Sequence, residues 1–269
     1  MAKFVTRFAP SPTGQLHLGH AASAFHVWKA ARRAGGQVLL RIEDIDTTRC
    51  KPEYTDQILE DLHWLGFDWI APIRVQSQHF ARYKSVVDHL VDLGLAYRCF
   101  RTRAELAEVS PAPLAASQET ALLDAGIPFA WRLSMSRARE YLGPVWNDLS
   151  YRLGAELDVR SMPAKPQLTG DIVIARKDSP SAYHIASTHD DAIQGISHII
   201  RGLDLADAVH IHTLLQVLMR WPQPIYFHHP LVLGQDGKRL SKSNESEPLA
   251  RLRASGMSVA DIWQRLGLK

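Results

Sequence analysis

An α/β fold built on a parallel sheet is predicted, because strand-like and helix-like patterns alternate from the N-terminus and the strand-like runs are short and apolar. Phe4 to Phe8 reads as a short strand that runs into Ala9-Pro10-Ser11-Pro12-Thr13-Gly14, where two prolines and a glycine exclude regular structure. An alanine-rich helix follows from about Leu18 to Ala34, with Gly35-Gly36 as its stop. Val38 to Ile42 is an apolar run, as in a strand covered on both faces. Ile58, Leu59, Leu62 and Leu65 then recur at helical spacing before Gly66. A further helix from about Ser77 to Leu93 places Phe80, Tyr83, Val87, Leu90 and Val91 on one face.

From about Arg98 to Leu168 the pattern weakens, and Ser110-Pro111-Ala112-Pro113 and Met162-Pro163-Ala164-Lys165-Pro166 read as loop boundaries. Regular patterning resumes at Asp171-Ile172-Val173-Ile174, and a last helix from about Ser258 to Leu266 has Ser258 as its cap. The expected organisation is a sheet domain in two parts, residues 1–97 and 169–245. Residues 98–168 form an insertion, not an independent domain, and residues 246–269 a helical tail. No internal repeat or low-complexity segment occurs.

Composition narrows the class. With 46% hydrophobic and 22% charged residues in 269, the chain is of ordinary globular type and can bury a core without staples. Its formal net charge of +3 permits a polyanionic partner without demonstrating one. Two cysteines at unrelated positions, Cys50 and Cys99, suit a reducing compartment. The N-terminus lacks a signal-peptide pattern, and no apolar run is long enough to cross a bilayer. A cytoplasmic protein without a membrane partner is expected.

Two elements carry chemistry. In Pro10-Ser11-Pro12-Thr13-Gly14-Gln15-Leu16-His17-Leu18-Gly19-His20, two histidines three residues apart share a helix's first turn, where free N–H groups and the dipole favour an anion. Gly19 leaves room for a nucleotide against the backbone. Alone, the pair fits polar helix-start residues or a metal pair equally well; the zinc-protease pattern H-E-x-x-H is absent. The second element is Gly234-Gln235-Asp236-Gly237-Lys238-Arg239-Leu240-Ser241-Lys242-Ser243. Its glycine spacing is not that of a P-loop, and alone it reads as a solvated basic loop.

Together the two elements resemble the HIGH and KMSKS signatures of class I aminoacyl-tRNA synthetases, whose sheet is Rossmann-like. Arg7-Phe8-Ala9-Pro10-Ser11-Pro12-Thr13-Gly14, Leu40-Arg41-Ile42-Glu43-Asp44-Ile45-Asp46, Ala182-Tyr183-His184, Asp190-Asp191-Ala192 and Arg201-Gly202-Leu203-Asp204 resemble the glutamyl branch of that family. The resemblance covers roughly residues 3–85 and 168–245. The short tail after Ser243 leaves no room for an anticodon-reading domain, so the chain resembles the short branch, the glutamyl-queuosine tRNA(Asp) synthetases.

That resemblance implies ATP-dependent activation of glutamate and its transfer to queuosine in tRNA(Asp). His17 and His20 are then expected to act with Lys242 on the phosphates. Gly19, Ser241 and Ser243 complete the ATP site, and Mg²⁺ accompanies ATP. Arg7 and Arg201 become the carboxylate partners, Glu43 the partner of the α-ammonium, and Ala9, Ser11 and Tyr183 line the glutamate site. The insertion becomes the acceptor-binding segment, and a monomer is expected. Relatives commonly bind zinc from a Cys-x-Cys in the insertion. Here that place reads Cys99-Phe100-Arg101, and no Cys or Tyr occurs between residues 102 and 140, so zinc is not expected and no metal ligand is assigned. His210-Ile211-His212 and His228-His229 read as structural, and Trp28, Trp64 and Trp69 as packing residues.

Three other readings compete. A catalytic fragment of a glutamyl-tRNA synthetase charging the 3′ end of tRNA(Glu) is marked by a longer reading frame. A non-catalytic RNA-binding paralogue has no chemical reason to keep His17, His20 and Lys242. A small nucleotidyltransferase is disfavoured by the words around Arg7, Glu43 and Arg201.

Overall fold

The computed structural model describes residues 3–102, 104–155, 158–232 and 247–268. Strand β1 (Val5–Phe8) pairs in parallel with β2 (Gln37–Ile42), which pairs in parallel with β3 (Ile70–Val75). Between β1 and β2 runs helix α1 (Leu18–Arg33), which buries Ala21, Ala24, Val27, Trp28 and Ala31 on one stripe and ends where Gly35 turns left-handed at φ +58°. Gly36 is required for a different reason: a Cβ there would lie 2.6 Å from the carbonyl oxygen of Phe4, where β1 and β2 come together. Helix α2 (Pro52–Trp64) starts with proline in its first turn and buries Ile58 and Leu62. Fully burying each such side chain stabilises the fold by roughly 1.5–3 kcal/mol.

Strand β3 lies at a sheet edge, where Pro72, lacking an N–H, is tolerated. The helix expected from Ser77 begins as a 3-10 turn, Gln76–His79, and becomes α3 at Phe80–Asp92. Asp44 fixes that turn, accepting hydrogen bonds from the Ser77 N–H (2.7 Å) and hydroxyl (2.6 Å).

Strands β4 (Ala96–Cys99), β5 (Ala130–Leu133) and β8 (Ile172–Ala175) form a separate antiparallel sheet. Short helices α4 (Glu105–Glu108) and α5 (Ala116–Asp124) lie between β4 and β5, and α6 (Met135–Leu142) follows β5. Strands β6 (Ser150–Ala155) and β7 (Asp158–Pro163) form an antiparallel pair. The expected insertion, residues 98–168, thus contributes to two sheets: β6 pairs in parallel with β10 (Ile225–His229), which pairs in parallel with β9 (His198–Gly202). Met162-Pro163, read as loop, closes β7, again an edge strand where a proline fits.

The two parallel groups meet at β1 and β9. Ser197 N–H donates to the Val5 carbonyl at 2.9 Å, and the Val5 N–H donates to the Ser197 hydroxyl at 2.8 Å. The spatial order is therefore β3-β2-β1 beside β9-β10-β6-β7. One apolar core joins α1, β2, α2, α9 (Leu249–Ala254) and α10 (Val259–Arg265); the other joins α3, the antiparallel sheet, α7 (Tyr183–Ile193) and α8 (Ala208–Leu218). Ser258 caps α10 reciprocally with Asp261, as its position in the sequence predicts. Trp28 stacks on Phe67, and Trp64 and Trp69 pack against the first core. Among the described residues no helix is long and apolar enough to cross a membrane.

Candidate active site

From β1 the chain builds outward to β2 and β3, whereas β9 and β10 lie on β1's other side. In parallel sheets such a reversal of strand order opens a crevice beyond the strands' C-terminal ends. A cleft of about 470 Å³ lies there, lined from β1 and its following loop, the start of α1, Glu43 after β2, Tyr183 on α7, and the ends of β9 and β10. The structure brings together Arg7, Ala9, Ser11, His17, Gly19, His20, Glu43, Tyr183 and Arg201 as lining residues of this one cleft. Gly234 to Ser243, with Ser241, Lys242 and Ser243, lie outside the described residues. Both flanks of that segment are at the cleft. Leu231 and Val232 line it, and on the far side Pro248 bridges His17 while the Leu249 N–H donates to the Leu16 carbonyl at 2.8 Å.

The proline-rich loop is held by backbone bonds from the neighbouring crossover: Glu43 N–H donates to Pro10 and Lys51 N–H to Pro12, each at 3.0 Å. It delivers the chain to α1, where the two histidines cap each other. His17 Nδ1 accepts from the Gly19 N–H, and His20 Nδ1 accepts from the His17 N–H, both at 3.1 Å. A neutral imidazole whose Nδ1 accepts carries its proton on Nε2. The first turn of α1 thereby presents two Nε2–H donors together with the positive end of a sixteen-residue helix. That arrangement suits phosphate oxygens.

Behind the other end of the cleft lies a buried charge cluster that sequence reasoning did not assign. Arg41, wholly buried in β2, binds Asp191 and donates to the Ser187 carbonyl at 3.3 Å. Asp191 also accepts from Arg7 Nε at 2.9 Å. Asp190 receives Arg74 (2.9 Å), the Tyr83 hydroxyl (2.8 Å) and Gln76 (3.1 Å). Burial by itself raises the Asp190 pKa, but the His189 hydrogen bond, the neighbouring Arg74 and Arg41 guanidinium groups and the Tyr83 hydroxyl bring it down to about 2. Burial likewise opposes ionisation of Asp191, and Arg41 and Arg7 overcome it. Glu43, 3.8 Å from Arg41 Nε, is pushed up by burial, which Arg41 and Arg7 offset only in part. Arg7, expected to face a ligand carboxylate, is thus also anchored from behind by its Nε.

Arg201, at the end of β9, is held differently. Its Nη1 donates to the Tyr183 hydroxyl at 3.4 Å and its Nε to His228 Nε2 at 3.3 Å, and its guanidinium lies over the Tyr226 ring at 5.4 Å. Its buried Nη2 has no hydrogen-bond partner, and no carboxylate pairs with it among the described residues. Four guanidinium groups (Arg7, Arg41, Arg74, Arg201) thus share the region with three carboxylates (Glu43, Asp190, Asp191). The three carboxylates pair with Arg7, Arg41 and Arg74 and none of them with Arg201, whose buried, unpartnered donor suits a ligand carboxylate.

Other residues at the cleft carry no role in the sequence reading. His229, read there as structural, lines it, bonded to Ser23 at 3.0 Å and stacked on His26; Thr13 and Asp204 line it as well. The signal that was available is Arg41 itself, a cation inside an otherwise apolar strand. His210 accepts from the Lys165 N–H at 3.2 Å, His212 is wholly buried, and Cys99 is buried in β4. Among the described residues no three His, Cys, Asp or Glu side chains are grouped to hold a metal ion.

Comparison with known proteins adds to this geometry. The family model for "tRNA synthetases class I (E and Q), catalytic domain" matches residues 3–121 and 151–256. The chain is 39% identical to the glutamyl-Q tRNA(Asp) synthetase of Rhodobacter capsulatus, over 98% of this chain and 100% of that protein. It is 38% identical to the glutamate–tRNA ligase of a Synechococcus strain, over 97% of this chain but 56% of that protein. Among solved structures, a glutamate tRNA ligase from Elizabethkingia meningosepticum in complex with its amino acid superposes with a TM-score of 0.69 at 29% identity. That match covers 90% of this chain and 52% of the other, so the chain spans about half the length of the ligase.

Proposed function

The chain belongs to the catalytic-domain family of class I tRNA synthetases for E and Q, and from that premise we propose that it activates glutamate with ATP and transfers it to queuosine in tRNA(Asp). The observation that carries the amino-acid part is Arg201, with which no described carboxylate pairs and whose buried Nη2 has no hydrogen-bond partner.

In this reading Arg201 and Arg7 receive the carboxylates of glutamate, Glu43 its ammonium, and Ala9, Ser11 and Tyr183 shape the pocket. The α-carboxylate is already ionised at neutral pH and needs no general base. It attacks the α-phosphorus of ATP; the C–O–P linkage of the adenylate forms as pyrophosphate leaves. His17 and His20, through Nε2–H, and the start of α1 hold the phosphates, with Gly19 admitting the nucleotide. Mg²⁺ enters as the counter-ion of ATP. Lys242, flanked by Ser241 and Ser243, is assigned to the pyrophosphate-leaving side; the cleft positions of Val232 and Pro248 support that assignment. A hydroxyl of the queuosine cyclopentene ring then attacks the acyl carbon and AMP leaves. The reading keeps residues 1–97 and 169–245 as the two parts of the catalytic unit, residues 98–168 as the acceptor-binding segment, and the cytoplasm as the compartment where ATP, glutamate and tRNA meet.

The test is transfer of labelled glutamate to tRNA(Asp) with and without queuosine, repeated after nuclease removal of the 3′-terminal adenosine. The expected outcome is labelling that requires queuosine and survives trimming. Labelling that trimming abolishes assigns the chain to 3′-end charging, the reaction suggested by its likeness to glutamate–tRNA ligases.

A further inference from the structure

We infer that His228 is a positioning residue for Arg201: its Nε2 lone pair fixes the plane of the guanidinium while leaving the charge of Arg201 unneutralised. The inference rests on the glutamate reading above and deepens it.

The geometry begins in the sheet. His228 of β10 and Arg201 of β9 are register partners in a parallel ladder, so their side chains stand side by side on one face. Arg201 Nε donates to His228 Nε2 at 3.3 Å. A guanidinium is a rigid plane, so a partner at Nε together with the Tyr183 hydroxyl at Nη1 sets where Nη2 lies. Tyr226, two residues before His228 on the same strand, closes the remaining freedom: its ring lies under the guanidinium at 5.4 Å and is nearly parallel to the His228 ring, at 11°. Of the three nitrogens, only Nη2 is left without a protein partner.

The residue type matters as much as the position. Arg201 offers only N–H donors, so whatever orients it must supply a lone pair. Asp191 does this for Arg7 and Arg41 as a carboxylate, and cancels charge in doing so. A carboxylate at position 228 would orient Arg201 equally well but would bind it as an ion pair and compete with the substrate carboxylate. Neutral imidazole separates the two effects. Burial and the neighbouring Arg201, with a contribution from His229, lower the His228 pKa to about 4, so the ring stays neutral over the physiological range.

The test uses the full chain and glutamate-dependent ATP–pyrophosphate exchange. His228→Leu is expected to raise the glutamate KM about tenfold, the scale of one lost hydrogen bond to a charged group. Its ATP KM and melting temperature should stay near wild type. His228→Gln, which offers an uncharged acceptor, should recover most of that loss, whereas the isosteric His228→Glu should bind glutamate worse than His228→Leu. A leucine variant with wild-type glutamate KM overturns the inference, as do Gln and Glu variants that behave alike, because a purely structural role does not distinguish charge at constant shape. If the wild-type chain shows no glutamate-dependent exchange, it is the proposed function that fails. The positioning bond is then read by ¹⁵N NMR of the histidine rings, with His228 identified by its loss in His228→Gln. The Nδ1–H tautomer at neutral pH supports the bond, and the Nε2–H tautomer overturns it.

Discussion

Ionic groups are handled differently in the parallel sheet behind the cleft and in the antiparallel lobe. Behind the cleft, Arg41, Asp190 and Asp191 are buried, and each meets more than one partner. In the lobe, Arg98 pairs with Glu119 at the surface, each about a third exposed or less, and lies over Trp131 at 4.7 Å and Phe129 at 5.3 Å. Buried charges fix geometry because removing one strands the others; partly exposed charges are replaced by water at little cost. The site is built on the first kind.

Asp191→Ala is the severest way to press that difference. It leaves Arg7 and Arg41 buried with only the more distant Glu43 and Asp190, 3.8 and 4.0 Å from Arg41. Denaturant unfolding should show a loss of about 3–5 kcal/mol. A loss below about 1 kcal/mol would mean that the cluster is as replaceable as a surface pair. Glutamate binding should weaken in the same variant, since Arg7 loses its anchor.

Asp61 tests the intermediate case, a buried carboxylate with a single near cation. It is wholly buried in α2, 3.6 Å from Arg253 of α9, and neither of its oxygens has a hydrogen-bond partner. Burial pushes its pKa up to about 6 against the lowering effect of Arg253. The folded state therefore holds the proton more tightly than the unfolded chain. Its contribution is present below pH 4 and is lost as pH rises through about 6. Asp61→Asn should flatten that part of the stability–pH curve and exceed wild type near pH 7.5 by on the order of 2 kcal/mol. Parallel wild-type and variant curves would show that Arg253 already compensates the burial.

The smallest effect belongs to the lobe. Arg98→Met removes one ion pair and two cation–π contacts at the surface and should cost about 1 kcal/mol or less, diminishing as salt is raised. A loss as large as that of Asp191→Ala would erase the contrast between the regions.

How far the sequence was legible follows the same division. The first parallel strands and helices announced themselves through local apolar periodicity, and Ser258 announced α10 through its cap, because those signals are carried by neighbouring residues. Strand β6 did not: Ser150–Ala155 becomes part of the parallel sheet only by pairing with β10, far along the chain. The nine described lining residues were reached through the family's motifs. Asp190 and Asp191 received no role, because nothing within a few residues of them distinguishes a charge destined for burial from a solvated one; Arg41 received none although its place in an apolar run marks it for burial. His228 and His229 stand at the end of β10, and only the β9–β10 register shows that the first faces Arg201.

The seam between Val5 and Ser197 has a consequence for synthesis on the ribosome. Arg7 and the proline-rich loop emerge near the beginning of translation, but β9 and β10, which bring Arg201 and His229 to the facing wall, emerge much later. Until Ser197 is available, the edge of β1 that β9 will cover is an unpaired strand edge, a template for wrong pairing. The nascent chain thus carries half of a ligand site beside an adhesive edge for most of its elongation. Whatever shields that edge in the meantime, a chaperone or the exit tunnel's surroundings, acts on the same strand that later presents Arg7 to substrate.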